Sequence, residues 1–64
     1  MTLKDLRELF YNGDDDKARI NLTTGYGEEF LEDIRINSAA LNPYNDREIV
    51  GLAQLSSVIE VIIK

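Results

Sequence analysis

Three aspartates stand in a row at Asp14, Asp15 and Asp16, and Glu28, Glu29, Glu32 and Asp33 follow soon after. Carboxylates at this density can hold a metal ion, act as an acid–base pair, or present a negative surface. A calcium loop of the EF-hand kind sets acids at alternate positions around a central glycine and closes with a glutamate at position twelve. Counted from Asp14, position twelve is Gly25. Consecutive acids on a regular backbone cannot all aim at one ion, so metal ligation is not expected.

Acid–base catalysis needs carboxylates in a water-excluding cleft, and a chain of 64 residues offers little room for one. Ser56 and Ser57 have no histidine to activate them, because the chain contains none. "TGYGEE" lacks the lysine–serine pair and helix start of a phosphate loop. The expectation is a protein that is not an enzyme and uses no cofactor. Tyr26, at the tip of that glycine-flanked stretch, is a candidate contact residue beside the acids.

The charge is concentrated. Between Asp14 and Asp33 there are seven acids and two bases, Lys17 and Arg19, which gives the whole net charge of -5. Outside that window five acids face five bases. Direct binding of nucleic acid through a basic patch is therefore disfavoured. The plainer alternative is that the acids only keep an adhesive sheet soluble.

These residues need elements to position them. Thr2, with Asp5 three residues on, forms a short capping box. Leu3, Leu6, Leu9 and Phe10 then fall on one stripe, predicting a helix over 2–11 that Gly13 stops. "ARINLTT" alternates Ala18, Ile20 and Leu22 against Arg19, Asn21 and Thr23, predicting a strand over 18–24. "FLEDIRI" alternates Phe30, Glu32, Ile34 and Ile36 against Leu31, Asp33 and Arg35. The acid at Glu32 on its apolar side suggests that the regular strand begins just after it. The two segments predict an antiparallel hairpin.

Residues 37–46, with Pro43 and three asparagines, read as an irregular connection anchored by Leu41 and Tyr44. Asn45 and Glu48 resemble a second capping box. The β-branched run "SSVIEVIIK" and Gly51 argue instead for two strands, about 47–54 and 57–63. Strict alternation there sets Ile49, Gly51 and Ala53 against Val50 and Leu52. It also sets Val58, Glu60 and Ile62 against Ile59, Val61 and Ile63.

The expected fold is α+β, a single domain over 1–64 with an N-terminal helix packed on a small antiparallel sheet of about four strands. A chain this short has a marginal core, and with no cysteine it has no disulfide to help. Strands apolar on both faces want cover on both. A homo-oligomer, most simply a dimer, supplies it, with Val50, Leu52, Val58 and Ile62 as interface candidates. The alternative is that 37–46 folds over the second face.

No apolar run reaches the roughly 18 residues of a membrane span. "MTLKDLRELF" carries charges inside its apolar pattern, unlike a signal peptide. A cytoplasmic location without membrane contact is expected.

"MTLKDLRELF", "LNPYNDREIVGL" and "VIEVIIK" together resemble small uncharacterised proteins of phages and prophages of Gram-positive bacteria. The resemblance covers most of the chain. It implies a helix followed by a few strands and an accessory gene acting in the host cytoplasm. Many such genes inhibit host defence, among them anti-CRISPR proteins and sponges for defence signalling nucleotides. It assigns no functional residues.

Three functions follow as expectations. The first is an anti-CRISPR-like inhibitor that binds a host protein, such as a nucleic-acid-binding defence protein. Its acidic surface would comprise Asp14, Asp15, Asp16, Tyr26, Glu28, Glu29, Glu32 and Asp33. The second is an oligomeric sponge holding a nucleotide through Arg19, Arg35 or Arg47. The third is a structural or regulatory subunit docking through its C-terminal strands.

Overall fold

A computed structural model of the chain describes residues 1–11, 18–25, 30–55 and 57–64. The order is α1 (Leu3–Tyr11), β1 (Arg19–Thr24), β2 (Phe30–Arg35), a 3-10 helix (Ala39–Tyr44), β3 (Ile49–Leu55) and β4 (Val58–Ile63). The four strands form one sheet in the order β2-β1-β4-β3. The fold is α+β, a helix and a four-stranded sheet. β1 pairs antiparallel with β2, and β3 with β4, but the central pair β1–β4 is parallel, so the sheet is mixed.

The capping box at the start of α1 is complete. Thr2 donates its N–H to Asp5 Oδ2 at 2.9 Å, and Asp5 donates its own to Thr2 Oγ1 at 3.2 Å. Two donors that a helix start leaves orphaned are thereby satisfied. These bonds hold the Asp5 carboxyl below its ordinary value of 3.8.

Strand register fixes the faces, because directly paired residues share one. The inner face carries Ile20, Leu22 and Thr24 of β1 beside Ile59, Val61 and Ile63 of β4. Leu3 and Leu6 of α1, Ile36, and Leu41 of the 3-10 helix complete the core with Ile20, Leu22, Val61 and Ile63. At about 100° per residue, Leu9 lies about 120° from Leu3, at the border of the helical stripe. It is 65% exposed, so the buried stripe is narrower than the sequence suggests.

Residues 37–46 do not fold over the outer face. Their middle is the 3-10 helix, with Ser38 as N-cap and Pro43 inside it, and Leu41 is fully buried on the inner side. Asn45 closes this helix rather than opening another, and Glu48 bridges to Thr2.

Arg7 locks the segment to α1. Its Nε donates to Ile36 O at 2.9 Å and Nη2 to Ser38 O at 3.0 Å. Its Nη1 donates to Asn42 Oδ1 at 3.1 Å and to Asn45 Oδ1 at 2.7 Å.

Both edge strands contain an irregularity that changes which side chains share a face. In β2 the register shifts so that Glu32 and Asp33 together oppose Asn21. In β3 it shifts between Ile49 and Gly51, leaving Val50 as the extra residue. Each is a β-bulge, and one extra residue inverts the alternation beyond it. β2 therefore starts at Phe30 rather than after Glu32, and Leu31, not Phe30, shares the inner face with Ile34. In β3, Leu52 joins Ile49 on the inner side, while Gly51 and Ala53 pair with Ile62 and Glu60 of the outer face. A Cβ on Gly51 would lie 3.2 Å from Ile62 Cδ1, so a larger residue at this outer position requires the Ile62 side chain to shift by a few tenths of an ångström.

Candidate functional site

Of the acidic candidates, Glu32 and Asp33 fall within the described residues, and both are exposed. They form the bulge of β2, the sheet edge next to β1. Asp33 adopts a positive φ of 52°, a left-handed conformation that aspartate tolerates better than most residues. Its N–H donates to Asn21 Oδ1 at 2.7 Å. Arg19 Nη1 donates to the Asp33 carbonyl at 3.2 Å and to Asp33 Oδ1 at 3.4 Å. Asn21 Nδ2 in turn donates to Glu60 Oε2 at 3.4 Å. A polar chain thus runs across the outer face from β2 through β1 to β4. The Arg19–Asp33 ion pair is about half exposed on each side, so it adds at most ~1 kcal/mol. Its clearer effect is to hold the bulge in shape.

Asp14, Asp15, Asp16, Tyr26, Glu28 and Glu29 lie outside the described residues. In sequence, Asp14, Asp15 and Asp16 fall between Tyr11 of α1 and Ala18, and Tyr26, Glu28 and Glu29 fall between Gly25 and Phe30.

The three arginines of the nucleotide alternative do not form one cluster. Arg19 and Arg35 are direct cross-strand partners and share the outer face. The Arg35 side chain makes no hydrogen bond or ion pair with another described residue, and Arg19 engages Asp33. Arg47 sits before β3, at the opposite end of the sheet, because β3 begins opposite Ile63 and Thr24 pairs with Ile63. Its Nε donates to Lys64 O at 2.7 Å.

The four interface candidates divide as well. Val58 and Ile62 are half-buried on the outer face, across which no described helix packs. Leu52 is 51% exposed on the inner side of β3, and Val50, in the bulge, is 58% exposed. Both belong to an edge strand, "IVGLAQL", that contains no ionisable residue. Among the described residues no strand lies beyond it. Only its start is covered, where Ile49 donates its N–H to Met1 O at 2.8 Å.

Sequence reasoning missed the Arg7 cluster. The only signals were an arginine on the wet side of a short helix and the asparagines of 37–46, which lie far apart in the chain.

No protein-family model, curated protein or solved structure matches this chain.

Proposed function

We propose that the protein is a non-enzymatic, phage-encoded inhibitor that binds a basic host defence protein through its β1–β2 side. The observation that carries this reading is the partition of charge between the two sheet edges. β2 bears Glu32 and Asp33 against Arg35, and the remaining acids of the window precede β1 or β2 in the sequence. β3, the other edge, bears no charge at all. Clustered negative charge speeds encounter with a basic groove and weakens with salt. The phage setting rests on the resemblance of the sequence pattern. Neutralising Asp14, Asp15, Asp16, Glu28 and Glu29 together should slow association with the target and flatten its salt dependence. Inhibition that persisted unchanged would overturn the proposal.

The uncharged β3 edge gives the same molecule its second surface, and the occupant proposed is another copy of this chain. Two copies of "IVGLAQL" paired antiparallel about a two-fold axis bring no like charges together, although each chain carries -5 overall. Both edges carry a bulge, but the β2 edge is also blunted by its acids, a second device that keeps strands from pairing and that β3 lacks. A dimer built through β3 leaves both acidic edges free.

One observation favours the nucleotide sponge as a second reading. Arg19 and Arg35 lie side by side on the outer face, and the Arg35 guanidinium has no ion-pair partner among the described residues. That reading requires a nucleotide to co-purify with the protein and to be lost from Arg35→Ala.

A further inference from the structure

An open groove of about 360 Å³ lies between α1 and the 37–45 segment. Lys4, Arg7, Glu8, Asn42 and Asn45 line it. The directions of its hydrogen bonds decide what it offers a ligand. A guanidinium donates and never accepts. The side-chain atoms of Asn42 and Asn45 that receive Arg7 Nη1 must therefore be their amide oxygens. Their NH2 groups are then turned away from Arg7, and neither bonds another described residue. Arg7 itself spends four bonds on neutral oxygens and none on a carboxylate, which leaves one N–H of Nη2 unspent. The Lys4 ammonium makes no ion pair with a described residue, and neither does Glu8. Two cations and one acid give the groove a formal +1 on a chain of -5.

We propose that this groove binds an oxyanion, a carboxylate or a phosphate, with Lys4, the spare Arg7 N–H and the Asn42 and Asn45 NH2 groups as donors. An ammonium and a fixed guanidinium lining one groove match the charge of both anions, and the amide NH2 groups add neutral donors. Glu8 is the single opposing group, and it limits affinity rather than contributing to it.

The test is a titration followed by 1H–15N NMR, with inorganic phosphate in one arm and acetate in the other, against chloride at equal ionic strength. Saturable shifts are expected at the Asn42 and Asn45 side-chain NH2 groups, at Arg7 Nε–H and in the backbone around the 3-10 helix. A response to phosphate alone assigns the phosphate source, and one to acetate alone the carboxylate source. Lys4 and Glu8 are exposed and unpaired among the described residues, so substituting them preserves the fold. Lys4→Ala should weaken binding about fivefold and Glu8→Gln tighten it about fivefold, the effect of one charge a few ångströms away in water. The proposal is overturned if neither anion gives saturable shifts, if chloride reproduces them, or if the two variants leave the midpoint unmoved.

Discussion

Asp5 and Arg7 sit two residues apart on α1 and do different work. Asp5 receives the Thr2 N–H, which lowers its carboxyl pKa in the folded state below the ordinary 3.8. A depressed carboxylate stabilises the fold fully above the unfolded value and loses that contribution as pH falls through the folded one. Asp5→Ala should therefore lower the melting temperature at pH 7. The gap between variant and parent should close as the pH is taken below 3.8, in a thermal unfolding series followed by circular dichroism. A gap that stayed constant down to pH 2 would mean the capping box contributes nothing through its charge. Arg7 joins α1 to the 36–45 segment through four bonds that depend on its planar fork. Lysine keeps the charge and loses the fork. Arg7→Lys should cost about 2–3 kcal/mol, since hydrogen bonds to charged groups contribute ~1.5–3 kcal/mol each and do not add fully. For a domain of this size that is a fall of about 10–20 °C in melting temperature. A shift under 3 °C would show the clamp to be incidental.

At the scale of elements, much of the structure was legible and its errors share one cause. The capping box, the β1 alternation and the preference for two C-terminal strands each follow from local residue patterns, and all three appear in the structure. Periodicity assumes an unbroken count of two. The bulges at Glu32–Asp33 and at Val50 each add one residue, and nothing in a short apolar or acidic run announces them. Phe30 was therefore expected with the core and is 56% exposed, while Leu52 changed sides. The parallel pairing of β1 with β4 was equally hidden. It depends on which strands prefer the centre of the sheet, a property of the whole set rather than of one segment. Arg7 and its asparagines were missed because their partnership exists only after α1 and the 3-10 helix have met. The β3 edge yields a prediction at this scale. Leu52→Lys places a charge on an otherwise neutral edge strand and should convert a dimer to a monomer in analytical ultracentrifugation. A parent protein already monomeric at ~100 μM would remove the proposed pairing.

At the scale of the molecule, the sheet has two unlike edges and, among the described residues, one open face. Its inner face is closed by α1 and the 3-10 helix around Leu3, Leu6, Ile36 and Leu41. Its outer face carries the Arg19–Asp33–Asn21–Glu60 chain beside half-buried Val58 and Ile62. An acidic edge for a basic partner and a neutral edge for a second copy would make a symmetric bivalent binder, with the two acidic edges at the far ends of a continuous sheet. Native mass spectrometry of the protein recovered from a host lysate tests this most directly. The parent would be run beside the variant neutralised at Asp14, Asp15, Asp16, Glu28 and Glu29. The account predicts a dimer of the parent carrying a basic host protein, and a bare dimer of the variant. The same partner on both, or a nucleotide in place of a protein, would contradict it.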